Sequence, residues 1–134
     1  MSVIVTDQGF RPAEAVVSVG LADLDAHQGV LDLAHTDDPA ALEGRLEGLH
    51  LIRVGFPAFS DGRAFTIARR LRMMGYAGEL RALGPVIADQ YAMARRVGFD
   101  AVEIPDELAA RQPAEQWAFR ADWAAHDYQR RLRA

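Results

Sequence analysis

Leu51-Ile52-Arg53-Val54-Gly55-Phe56 is followed by the loop Pro57–Gly62, and then by Ala64, Ile67, Ala68, Leu71 and Met74 at helical spacing. The first run reads as a strand and the last as one face of a helix. Gly75-Tyr76 ends that helix, Glu79–Leu83 is a second strand, and Gly84-Pro85 closes it. Ile87, Tyr91 and Ala94 make a second helical stripe. Gly98-Phe99 ends it as Gly75-Tyr76 ends the first, and Ala101–Ile104 is a third strand stopped by Pro105. Alternation of this kind requires parallel strands joined by right-handed crossovers. The strand starts near residues 51, 79 and 101 make a weak internal repeat.

Upstream, Val3–Val5 and Ala15–Val19 read as two short strands separated by Gly9, Arg11 and Pro12, with Gly29–Ala34 as a third. Asp38 suits a helix N-cap and Pro39 the first helical position, after which Leu42, Leu46 and Leu49 fall on one face. Downstream, Pro113 opens a long helix with Trp117, Ala121, Ala124, Tyr128 and Leu132 on one face. Arg130, Arg131 and Arg133 in its last turn suit the helix dipole. The expected fold is a single α/β domain over residues 1–134 with a βαβαβ parallel-sheet core, partial-barrel-like or flavodoxin-like. Residues 1–35 supply the N-terminal strands, 36–105 the core and 106–134 the C-terminal helical segment. A half barrel would leave apolar strand edges, which favours a homodimer.

The chain has 134 residues, enough for one domain with a real core. All 15 basic residues are arginine, and there is no Lys, Asn or Cys. That removes Schiff-base lysine, cysteine nucleophiles, disulfides, cysteine-ligated zinc, iron–sulfur clusters and the lysine-bearing P-loop. The net charge of −4 gives no reason to expect nucleic acid or an anionic membrane as partner. Its distribution is uneven. Residues 1–60 carry nine acids against three arginines, whereas residues 53–96 carry eight arginines against Asp61, Glu79 and Asp89. Such a segment can focus a small anion or an acidic protein surface. With no long apolar run, and neither a positive n-region nor an apolar h-region at Met1–Asp7, a cytoplasmic protein is expected.

In parallel α/β units ligands gather beyond the carboxyl ends of the strands. Of the three loops there, Phe56–Arg63 carries the most signal. Gly62 permits a tight backbone, the following helix offers free amides, and Arg63 adds a planar fork of donors, which together suit an oxyanion. The second loop runs from Gly84-Pro85 to Asp89-Gln90, and the third is Ile104–Glu107. Arg53, Arg81 and Glu103 sit in the middles of otherwise apolar strands, where a charge must be paired or face a solvated cleft. Arg81 and Glu103 are placed to meet on neighbouring strands. His27, His35, His50 and His126 show no ligand spacing, so no metal site is expected, and no dinucleotide or nucleophile-elbow motif occurs. Phe56, Phe59, Phe65 and Tyr76 read as core.

Three ordered blocks carry a family resemblance. They are Phe56–Arg63 with Ala68-Arg69 and Leu71-Arg72, then Gly75–Gly84 with Asp89-Gln90, then Arg96–Glu103. Together, over roughly residues 30–105, they resemble the bacterial domain-of-unknown-function family number 934. Its members are often labelled oxidoreductases and are commonly encoded beside assimilatory sulfite reductase. The matching positions are Ser60, Asp61, Gly62, Arg63, Glu79, Arg81, Asp89, Gln90 and Glu103. After Asp61-Gly62-Arg63 the family usually shows Gly-Tyr-Ser, where this chain has Ala64-Phe65-Thr66. The acid that often follows the glycine of the second block is here Pro85, so no catalytic residue is carried over.

The resemblance implies a role in sulfite reduction or sulfur assimilation. The first reading is an accessory protein that binds a small anion such as sulfite or docks on sulfite reductase. Its candidate ligand residues are Ser60, Asp61, Gly62, Arg63, Arg81, Asp89, Gln90 and Glu103. The second is a flavin- or nicotinamide-dependent oxidoreductase, although no cofactor is evident in the sequence. The third is a structural homodimer module without ligand.

Overall fold

Seven strands form one sheet in the computed structural model, which describes residues 2–57, 62–86, 88–112 and Trp117. Ser2–Thr6 (β1) and Gly9–Pro12 (β2) make an antiparallel hairpin. Val19–Gly20 (β3), Val30–Leu33 (β4), Leu51–Gly55 (β5), Glu79–Leu83 (β6) and Ala101–Pro105 (β7) run parallel, each beside the next in chain order. β1 pairs antiparallel with β7, giving the order β2-β1-β7-β6-β5-β4-β3. The crossovers use 3-10 turns at Leu21–Ala26, Pro39–Leu42 and Ala88–Gln90 and the helices Arg63–Met73 (α1) and Tyr91–Val97 (α2). A short helix, Asp106–Arg111 (α3), follows β7.

The winding never reverses, so crossovers of one hand place every helix on the same face. One hydrophobic cluster unites Leu31, Leu33, Ile52, Val54, Leu80, Ala82, Val102 and Ile104 of the sheet with Ile67 and Leu71 of α1 and with Tyr91, Ala94 and Leu108. The buried positions of α1, at 64, 67, 68 and 71, are the stripe read from the sequence. Burying side chains such as Ile67 or Leu71 stabilises by about 1.5–3 kcal/mol each. Phe56, Phe65 and Phe99 meet with centroids 5.1–6.5 Å apart inside this layer, so Phe56 and Phe65 are core, as is the buried Tyr76. Phe59 lies outside the described residues.

A flavodoxin-like sheet reverses its strand order and carries helices on both faces. The unreversed order here is that of a partial barrel, and chain length requires curvature. Pro12 and Val19 sit on opposite edges of the sheet. Six interstrand steps of about 4.8 Å make about 29 Å across a flat sheet. Seven residues of extended chain reach at most about 25 Å. The sheet therefore curls toward closure, with the helices outside and a concave face within.

Two local expectations are corrected. First, β2 is Gly9–Pro12 rather than Ala15–Val19, because the turn after Thr6 (Thr6 Oγ1 accepts from Gln8 N at 3.2 Å) folds the next residues back on β1. Of Ala15–Val19 only Val19 joins a strand, and the run is used in crossing from one sheet edge to the other. Second, Asp38 caps Ala40 N at 2.9 Å as expected, but the helix stops at Leu42, since Gly44 and Gly48 take positive φ (75° and 83°) that a continuing helix forbids. The long helix expected from Pro113 lies outside the described residues apart from Trp117. That indole donates to Gln112 O at 2.8 Å and stacks edge-on with Tyr91.

Candidate functional site

Strand alternation sends Leu80 and Ala82 to the helices and Arg81 to the concave face. The same rule sends Asp32, Arg53 and Glu103 there. Register sets Asp32 beside Arg53 and Arg53 beside Arg81, and places Glu103 one step toward the carboxyl edge, opposite Leu83. Two guanidinium groups on adjacent strands would repel, so carboxylates flank them. Arg53 forks onto Asp32, Nε to Oδ1 at 2.7 Å and Nη2 to Oδ2 at 2.8 Å, and its Nη1 reaches Glu103 Oε1 at 3.5 Å. Arg81 Nη1 donates to the same Oε1 at 3.1 Å, while its Nε and Nη2 donate to Glu79 Oε2 at 3.1 and 2.9 Å. Ser2 Oγ donates to Glu103 Oε2 at 2.9 Å, and Ser18 Oγ to Asp32 Oδ2 at 2.8 Å. The Arg81 and Glu103 side chains are only 4% and 8% exposed, so each charge depends on its partners. The bonds from Asp32 push the Arg53 pKa upward against the opposing cost of burial.

Above this layer, at the carboxyl ends of β6 and β7, is a cavity of about 310 Å³ lined by Ser2, Leu83, Gly84, Glu103, Ile104 and Pro105. Gly84 turns the chain there at φ +130°, where a Cβ would lie 2.4 Å from Phe56 O. Along the same edge, Gly62 is the N-cap of α1 and Arg63 its first residue, both exposed. Asp89 and Gln90 occupy the 3-10 turn leading into α2. Ser60 and Asp61 lie outside the described residues. The candidates thus fall into two groups. Arg81 and Glu103 meet directly on the concave face, whereas Gly62 with Arg63, and Asp89 with Gln90, open the crossovers on the helix side. Arg81 is engaged by two carboxylates on the concave face, and Arg63 is the candidate arginine at the carboxyl edge itself.

A roomier cavity, about 820 Å³, opens at the opposite edge among Asp7, Arg11, Arg72, Arg95 and Asp100. Its arginines serve the fold. Arg72 donates to the carbonyls of Tyr76, Gly78 and Gly98 and to Asp100, and Arg95 to Phe99 O and Asp7. These groups tie off helix ends, and the carboxyl edge is where parallel strands release loops for ligands.

Sequence reasoning singled out Arg53 as an oddity but did not join it to the site, and it missed Ser2, Ser18 and Asp32 as partners. Asp32 carried the same signal as Arg81, a charge between apolar neighbours in a strand. The two serines carried none, since their roles arise from β1 and β3 lying beside distant strands. Among the described residues no group of three or more His, Asp or Glu side chains is gathered as a metal ion would need.

An unreversed βα winding with a charged concave layer defines a barrel-like α/β domain. No curated protein and no solved structure matches the chain. Residues 30–134 match the family described as bacterial proteins of unknown function, DUF934, and the chain belongs to that family. Among the described residues no helix is long and apolar enough to cross a membrane.

Proposed function

We propose that this protein is an accessory, anion-binding protein of assimilatory sulfite reduction that docks on sulfite reductase. The carboxyl edge carries the anion-binding half of this reading. α1 begins there on Gly62, which offers no side chain to cap its amides, and Arg63 follows with no acid in the first turn. The leading amides and positive end of an 11-residue helix, with a guanidinium fork beside them, suit a small oxyanion. The pathway half rests on the resemblance of the three sequence blocks. With no cysteine in the chain, thiol or iron–sulfur electron transfer has no side chain to run through, so binding and docking are the favoured roles.

The test is thermal unfolding with sulfite or sulfate. A ligand at about 100 times its Kd adds about 2.7 kcal/mol of stability. The wild type is expected to show the upward shift and Arg63→Ala to lose it. An equal shift in both proteins removes Arg63 from the site. The absorbance spectrum of the purified protein is the companion measurement, because a flavin band would replace the cofactor-free reading with an oxidoreductase.

A further inference from the structure

The outer layer of the barrel has a charge opposite to that of the whole molecule. α1 and α2 together contain Arg63, Arg69, Arg70, Arg72, Arg95 and Arg96 and no acidic residue, in a chain whose net charge is −4. Arg72 and Arg95 turn toward backbone carbonyls and acids at the helix ends. Arg69, Arg70 and Arg96 are exposed, and Arg70 pairs at the surface with Asp38 at 3.3 Å. Among them Met73 is 77% and Met93 49% exposed, two of the three large apolar side chains left outside the core among the described residues. A face built only for solubility would keep methionine inside. Arginine with methionine is instead the composition enriched at protein interfaces.

We infer that the outer face of α1 and α2 is a docking surface for an acidic patch on a partner protein, with Arg69 and Arg96 supplying charge and Met73 and Met93 the apolar contact. Charge complementarity selects the occupant. A nucleic acid would meet the acids of residues 1–60, Asp38 beside Arg70 among them, and would leave the exposed methionines unused, whereas an acidic protein patch engages arginine and methionine together. The inference rests on the docking half of the proposed function and is independent of the anion edge.

The test measures binding of the full chain to purified assimilatory sulfite reductase at low and high salt, with duplex DNA as the competing polyanion. Compared are the wild type, the double variant Arg69→Glu/Arg96→Glu, the variant Met73→Ser and, as a control in the segment leading into β3, Val17→Ser, whose side chain is 65% exposed. These are exposed positions, and circular dichroism checks that each variant folds. The expected result is salt-sensitive binding by the wild type and Val17→Ser. Charge reversal should weaken it at least about tenfold, with a smaller loss for Met73→Ser. If the wild type binds and the double variant binds equally well, docking uses another face, and this inference fails while the functional reading stands. If the wild type does not bind the reductase, or retains DNA instead, the docking reading and the inference fail together. The sulfite response of Arg63 is judged separately.

Discussion

Replacing Glu103 by Gln is the sharpest test of the concave charge layer. Its carboxylate accepts from Arg81 at 3.1 Å, from Arg53 at 3.5 Å and from Ser2 at 2.9 Å, with 8% of the side chain exposed. At about 4 Å between charge centres and an effective dielectric near 20, each arginine contributes about 4 kcal/mol of attraction before desolvation is subtracted. The amide keeps the shape but removes the charge, and it turns an NH2 group toward guanidinium or hydroxyl. Arg53 retains its fork onto Asp32, whereas Arg81 keeps only Glu79, whose side chain is 34% exposed. Breaking one partner of a buried pair typically costs about 3–5 kcal/mol. Because Glu79 remains, Glu103→Gln should cost about 2–4 kcal/mol. Urea unfolding at pH 7 measures this as a lower midpoint with an unchanged slope. Arg81→Met should also destabilise, and the double variant should lose less than the two single losses combined, because neither buried charge is then left facing an absent partner. A Glu103→Gln variant within about 0.5 kcal/mol of wild type would mean that the layer is solvated rather than buried, and would refute the reasoning.

Two further outcomes follow from the same structure. Gly84→Ala should destabilise by at least about 2 kcal/mol, since a Cβ meets Phe56 O at 2.4 Å and φ is +130°. Gly62→Ala, with φ −86° and nothing near its Cβ, should cost under about 1 kcal/mol, and equal losses at the two sites would contradict the described geometry. Burial pushes the Tyr76 hydroxyl up to about 12 from its usual value near 10. A raised pKa gives stability that is complete below pH 10 and lost between about pH 10 and 12, here about 2–3 kcal/mol. Tyr76→Phe should flatten that alkaline loss in urea midpoints, and an identical decline in variant and wild type would rule the assignment out.

The centre of the chain was legible because both of its codes are long and local. The stripe Ala64, Ile67, Ala68 and Leu71 spans the whole buried side of α1, and the strand starts at Leu51, Glu79 and Ala101 coincide with those observed. The charges Arg53, Arg81 and Glu103 declared themselves by interrupting apolar strands. The edge strands were hidden because β2 contains Gly9, Arg11 and Pro12 and is a strand only by virtue of β1 beside it. Likewise, no local pattern ties Ser2 to Glu103 or Ser18 to Asp32, since those bonds exist only after the sheet has curled. The choice between partial barrel and flavodoxin-like layers turned on strand order, which hydrophobic periodicity does not encode.

The pairing of β1 with β7 has a consequence for how the chain reaches its native state. Every parallel pair joins consecutive strands, but β1 finds its neighbour across a separation such as the 101 residues between Ser2 and Glu103. Closing a loop of that length costs about 4 kcal/mol of chain entropy beyond a constant term, about 1 kcal/mol more than the crossover from Leu51 to Glu79. The slow step of folding should therefore be the late return of the N-terminal hairpin to β7. During synthesis at about 5–20 residues per second, that hairpin emerges several seconds before the strand that receives it. Until then β7 presents an unsatisfied edge, and the seal of Ser2 on Glu103 is among the last bonds to form.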